Sequence, residues 1–340
     1  MTHPTPPLSP SRDWVGHWLS LIERAGEDMS IRFGRLDDVP DDTRSGDGES
    51  HEVAWRYLSH AQYDGLGALA TLLADAATPP REGLPAARSV SPASRGERLR
   101  AFARIIARKS STATLRGHDL AWRAKGGVGL RCLPEDHAVA WRCFSRAETE
   151  AIVAGARADG VTVNSALLWA LARATAAEMD GDAGVWLVPV NLRGLVRQRA
   201  PHANHIGFLH VRVGRDASVR SVHDAVRGEI ARGAHWGAWT LANLGEALGE
   251  GAIEVIARAR KPGRRGTLGV FSNLGALDGD GRDAWLFCPP TSLSQPLAVG
   301  ALTWNGRLAL LLQLHPSLSR SSGDARALLD RWTDALGRAR

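Results

Sequence analysis

The stretch from Leu297 to Leu314 constrains this chain more than any other. Two apolar runs, Leu297–Trp304 and Arg307–Leu314, are separated only by Asn305-Gly306. Asn and Gly tolerate the positive φ that a two-residue hairpin turn requires, so the stretch predicts a hairpin. Val185–Val190 is another continuous apolar run and predicts a buried central strand. Further strands are expected at Met29–Phe33, Glu52–Leu58, Gly126–Leu133, Ala138–Phe144, Ile206–Val213 and Gly266–Asn273. Apolar spacing predicts helices at residues 13–26, Gly65–Ala74, Gly96–Lys109, Ser145 to about Ala158, and onward from Asn164. Others are expected at Val219–Arg232, about Leu241–Ala259 and Ser322–Arg338. Ser145 with Glu148 forms a capping box, and Asn164 is read as an N-cap.

Helices alternating with strands make this an α/β chain, read as two lobes. The N-terminal lobe is placed at 1–136 and the C-terminal lobe at 137–340. The proline-rich residues 78–95 read as a linker, and Asp37–Ser50 as a surface loop. No apolar run reaches the roughly eighteen residues of a membrane-spanning helix, so no integral membrane segment is expected. The first residues lack a basic start followed by an apolar core, so no signal peptide is expected. Cys132, Cys143 and Cys288 are scattered and odd in number. They form neither a disulfide framework nor a metal spacing, and a reducing cytoplasm is the expected compartment. The net charge is +6, but only Lys109, Lys125 and Lys261 are lysines and the arginines are spread out. No nucleic-acid partner is expected from that pattern. A dinucleotide fingerprint, a phosphate loop and a Gly-x-Ser-x-Gly nucleophile are all missing.

One chemical candidate sits where a strand gives way to a helix, in Ser59-His60-Ala-Gln-Tyr-Asp64-Gly65. An imidazole takes a proton from a hydroxyl or amine near neutral pH, so His60 is a candidate general base. Asp64 at the bend suits either a helix cap or an ion pair with an arginine. Gly65 lets the backbone turn and a substrate approach. The same residues also suit a structural bend with a partly buried histidine. His202, His205 and His210 cluster, but without a facing carboxylate or helical spacing no metal site is expected. Trp169 and Trp304 suit either a pocket wall or the core.

Five segments together resemble the acyltransferase superfamily with a His-His-x-x-x-Asp-Gly motif. That group includes chloramphenicol acetyltransferase, condensation domains, wax ester synthase/diacylglycerol acyltransferases and polyketide-associated acyltransferases. The segments are Ser59–Gly65, Phe144-Ser145, Val161–Asn164, Val188–Arg193 and Val270–Gly275. The resemblance covers about residues 50–340. It implies a two-lobed chloramphenicol-acetyltransferase-like fold with a tunnel at the lobe interface. The N-terminal lobe would be shortened, because His60 lies earlier than the family's histidine. It implies acyl transfer from acyl-CoA or a phosphopantetheinyl acyl carrier protein to a small-molecule hydroxyl or amine, in lipid or secondary metabolism. No tightly bound cofactor is implied. His60 would be the base and Asp64 structural, with Arg193 as its partner. Asn164 would support the oxyanion or the motif loop, and backbone N–H groups near Gly65 would help. Ser272 and Asn273, with Trp304, would bind substrate, and Asn204–Phe208 would run beside the tunnel. Ser59 replaces the first motif histidine, and Ser165 replaces an aspartate that follows Asn164 in part of the family. The alternative is a catalytically silent relative that binds a carrier protein or small ligand.

Overall fold

The computed structural model describes residues 10, 12–39, 42–48, 52–76, 83–87, 90–107, 113–119, 132–259, 267–280 and 282–337. The first half holds α1 (Trp14–Arg24), β1 (Ser30–Leu36), β2 (Arg44–Asp47), β3 (Val53–Ser59), α2 (Gly65–Asp75), α3 (Arg95–Ile106) and β4 (Thr114–Leu115). Next come β5 (Ala138–Cys143), α4 (Arg146–Ala158), α5 (Val163–Thr175), β6 (Met179–Asp180), β7 (Ala183–Asn191) and β8 (Ile206–Gly214). Then follow α6 (Val219–Ala231), α7 (Ala234–Ala242), α8 (Gly245–Leu248), α9 (Glu250–Ala259) and β9 (Gly269–Leu277). The chain closes with β10 (Ala284–Cys288), β11 (Leu297–Trp304), β12 (Arg307–Leu314) and α10 (Ser322–Gly337).

A seven-stranded mixed sheet runs in the order β2-β5-β12-β11-β9-β7-β8. β9 is parallel to both β11 and β7, and the other pairs are antiparallel. The β11–β12 hairpin lies at its centre, which is why both strands are apolar on both faces. Asn305 and Gly306 have φ of 51° and 77°, the positive values their turn demands.

Alternation along the strands sorts the core into layers. Val299, Ala301, Leu310 and Leu312 face α5 and α10, where Leu167, Leu171, Leu329 and Trp332 pack on them. Trp141, Ala298, Ala309 and Leu311 face the opposite way, onto a three-stranded sheet of order β10-β1-β3. The far side of that small sheet, Ile31, Phe33, Trp285 and Phe287, is covered by Leu66, Leu69 and Leu73 of α2.

The two sheets exchange strands along the chain. β2, from the first half, edges the large sheet, while β10, from the second half, edges the small one. Both sheets therefore cross the expected boundary at 136/137. Four expectations are corrected. The loop expected over Asp37–Ser50 contains β2, whose polar sequence suits an edge paired only to β5. The sequence of α3 offers Leu99, Phe102, Ile105 and Ile106 as its apolar side, yet the buried residue is Ala101, while Leu99 and Ile106 are exposed. Gly237 explains this: α7 comes so near that a Cβ there would lie 2.6 Å from the Ala101 carbonyl oxygen, so only a small residue fits the seam. The long helix expected over 241–259 is cut by Gly249, at φ 79°. Thr162, not Asn164, caps α5, accepting from the Ser165 N–H. Most of the strand expected at Gly126–Leu133, and parts of the linker, lie outside the described residues.

Candidate functional site

β3 ends at Ser59 and α2 begins at Gly65, so His60 occupies the turn between them. The small sheet fixes the start of that turn: the His60 N–H donates to the Met29 carbonyl at 2.9 Å. The ring is half-buried, and its Nδ1 lies 2.7 Å from the Tyr63 carbonyl oxygen. A carbonyl only accepts, so Nδ1 carries the proton of the neutral ring. Nε2 is left as the unprotonated nitrogen, with no hydrogen-bond partner among the described residues. Burial lowers the His60 pKa below the usual histidine value, against the opposing pull of the Tyr63 carbonyl and of Asp64 and Asp13. Burial thus favours the neutral ring, with Nδ1 toward the Tyr63 carbonyl.

Asp64 is buried and holds the other side of the turn. Its Oδ1 accepts from Gly67 N at 2.7 Å, capping α2, and from Arg193 Nη2 at 2.6 Å. Its Oδ2 accepts from His205 N at 3.0 Å. The cap and the ion pair, read from the sequence as alternatives, are both present. Arg193 follows β7 and is itself set by Asn191, whose Oδ1 accepts from Arg193 N at 3.0 Å. Gly67 allows the close approach, since a Cβ there would lie 2.3 Å from the His202 carbonyl oxygen.

The segment 191–205 supplies a second anchor. Asn204 is fully buried, and its Nδ2 donates to the His60 carbonyl at 3.1 Å. The neighbouring His205 has its pKa lowered, chiefly by burial, and places Nδ1 2.8 Å from the Ala203 carbonyl oxygen. Among the described residues no group of His, Cys, Asp and Glu has a metal-holding arrangement.

The remaining expected residues divide. Asn164 and Asn273 meet, with Asn273 Nδ2 donating to Asn164 Oδ1 at 2.6 Å. Leu274, the next residue, packs on Gly65, so the end of β9 abuts the start of α2. Ser272 is buried within β9. On the side where a Cβ would stand, 2.8 Å from Leu274 and 3.1 Å from Phe287, Gly65 serves helix-on-sheet packing. One expectation is corrected. Trp304 is 1% exposed and belongs to the core beneath α2, leaving no face to line a pocket. Trp169 is partly buried, its Nε1 donating to the Ala217 carbonyl.

Two residues that hold the turn, Asp13 through Asn204 and Glu23 through Ser59, went unnoticed in the sequence. Asp13 precedes α1 and Glu23 lies near its end. Asp13 carries a legible signal, a carboxylate just ahead of an amphipathic helix, which marks an N-cap. Glu23 carries none.

No protein-family model and no curated protein matches the chain. Among solved structures it is similar to the wax ester synthase/diacylglycerol acyltransferase from Marinobacter aquaeolei VT8. The TM-score is 0.49 at 12% identity, covering 94% of this chain and 74% of that one. It is similar to the epimerization domain from the third module of tyrocidine synthetase B, at TM-score 0.49 and 13% identity, covering 84% and 68%. It is also similar to trichothecene 15-O-acetyltransferase from Fusarium sporotrichioides, at TM-score 0.42 and 14% identity, covering 60% of this chain and 47% of that one. The chain thus spans about half the length of the last protein. These are likenesses of chain course alone. No helix of the described residues is long and apolar enough to cross a membrane.

Proposed function

We propose that the protein is an acyltransferase in which His60 is the general base. The observation that carries this reading is the tautomer imposed on His60. Tyr63 accepts from Nδ1, so Nε2 is the basic nitrogen and has no partner among the described residues. An acceptor hydroxyl or amine bound against Nε2 gives up its proton as its oxygen or nitrogen attacks a thioester carbonyl. The new C–O or C–N bond forms, the C–S bond breaks, and the proton on Nε2 passes to the departing thiolate. Substrates meeting at one base need no covalent acyl-enzyme. The donor is an acyl-CoA or an acylated phosphopantetheinyl carrier protein, and the acceptor a small molecule. Asp64 and Arg193 act as the scaffold of the turn, and the Asn164–Asn273 pair as the polar corner beside it.

The test is thioester consumption by wild type and His60→Ala, with CoA-linked and carrier-linked donors and with alcohol and amine acceptors. Loss of turnover in a folded His60→Ala supports the reading; turnover equal to wild type overturns it. One observation favours a second reading, a silent relative that binds a carrier protein or ligand without turnover. Ser59 stands where the family that the motif resembles carries its first histidine. Carrier or ligand binding by a wild type that consumes no thioester selects it.

A further inference from the structure

α1 precedes the region that resembles any acyltransferase motif, yet it and its N-cap reach the His60 turn at three points, one of them through Asn204. At its start, Asp13 Oδ1 accepts from Gly16 N at 2.8 Å and so caps the helix. Asp13 Oδ2 accepts from both the backbone N and the side-chain Nδ2 of Asn204, each at 3.1 Å. That same Nδ2 donates to the His60 carbonyl. In the middle of the contact, a Cβ on Gly16 would lie 2.2 Å from the Ala61 carbonyl oxygen, so backbone meets backbone without room for a side chain. Near the helix end, Glu23 Oε1 accepts from Ser59 Oγ at 2.6 Å. Ser59 Oγ in turn accepts from Ala61 N at 3.2 Å. The residues on either side of His60, and its own carbonyl, are thus all fastened to one helix.

We infer that α1 is a clamp for the general base, with Asp13 and Glu23 as positioning residues that hold His60 through Asn204 and Ser59. This rests on the reading of His60 as the base. Among the described residues neither carboxylate hydrogen-bonds the ring; each fixes backbone whose displacement would move Nε2. Imidazole placement matters because proton transfer needs the reacting atoms within hydrogen-bond reach, and small misplacements cost large factors in rate. Asp13 has a second effect, because its negative charge favours the protonated ring. The charged groups around the turn are Asp13 and Glu23 from α1, Asp64 from the turn itself, and Arg193 from the segment after β7, bound to Asp64. His205 adjoins them through its N–H to Asp64.

Asp13→Asn separates the clamp from the helix cap. Asparagine caps as well as aspartate, so α1 survives. Its single carbonyl oxygen keeps the Gly16 bond, and the amide nitrogen then faces the two donors of Asn204. Glu23→Ala frees Ser59, and Glu23→Gln restores an acceptor. The measurement is a pH titration of His60 by histidine ring NMR in the full chain, paired with kcat and KM for acyl transfer. In wild type the ring holds the Nδ1–H tautomer. Asp13→Asn is expected to lower the His60 pKa, mix the tautomers, and reduce kcat about tenfold with KM changed less than about twofold. Glu23→Ala is expected to mix the tautomers and lower kcat similarly, with recovery in Glu23→Gln. A wild-type tautomer and pKa in both Asp13→Asn and Glu23→Ala overturn the clamp. Perturbed His60 titrations in a protein whose wild type consumes no thioester uphold the clamp and reject the acyltransferase reading, so the two fail separately.

Discussion

Removing either partner of the Asp64–Arg193 pair should destabilise the protein unequally, with Asp64 the costlier loss. Asp64→Ala strips α2 of its N-cap, worth about 1 kcal/mol. It also leaves a guanidinium 10% exposed at its side chain without its carboxylate. Losing one partner of a buried pair costs about 3–5 kcal/mol. The His205 N–H loses its acceptor as well. The sum is about 4–6 kcal/mol, a large share of the roughly 5–15 kcal/mol that a folded domain possesses. Arg193→Ala leaves Asp64 with Gly67 and His205 still donating, so about 3 kcal/mol is expected. Among the described residues Arg193 Nη1 has no partner even in the intact pair, which places this value at the lower end. The double variant strands neither charge and should fall short of the sum by about 2 kcal/mol. Urea unfolding of the four proteins, with Asp64→Asn as a milder form, measures the cycle. Additivity within about 0.5 kcal/mol, or equal single losses, would refute the assignment of Asp64 as the hub of the turn.

Four further outcomes follow from the structure. Burial, with the His315 and Arg32 charges, pushes the His137 pKa down to about 3, and burial pushes His235 down to about 4. The unfolded chain therefore binds these protons first, so this stability is complete above about pH 6.5 and is lost as pH falls. The loss is about 3 kcal/mol per group by pH 4, only partly offset by Asp28, whose burial raises its pKa; a denaturation series from pH 7 to pH 4 reads it. Gly67→Ala should destabilise despite alanine's helix advantage of about 1 kcal/mol, because its Cβ would strike the His202 backbone; thermal melting gives the sign. Gly306→Ala, at φ 77°, should cost about 1 kcal/mol by urea unfolding. All three cysteines are buried, and burial raises the Cys132 thiol to about 12, so the native protein should not react with a thiol reagent until unfolded.

What was legible in the sequence were features set by neighbours along the chain. The Asn305-Gly306 hairpin, the Ser145–Glu148 capping box and the apolar run of β7 are of this kind, and each formed close to its expected bounds. Asp64 and Arg193 were paired across 129 positions only through the family resemblance, since no local rule links them. Features set by approach in space were not legible. β2 is polar because it pairs on one side only, which reads as a loop. Leu99 and Ile106 of α3 look inward by composition, yet Gly237 gives the seam to Ala101. The packing of Gly65 on Leu274 and Phe287 has no local signal, and Trp304 looks like a pocket wall but fills the space under α2. Asp13 and Glu23 reach the turn from a helix whose sequence reports only its own amphipathicity.

The central claim is that Nε2 of His60 is the base. Its most direct test compares the acid limb of the kcat/KM profile with the pKa of His60 measured by NMR in the same buffer. The two should coincide below about pH 6.5, with activity rising as the ring loses its proton, and the limb should vanish with the activity in His60→Ala. An acid limb that departs from the His60 titration, or that persists in His60→Ala, would contradict the account.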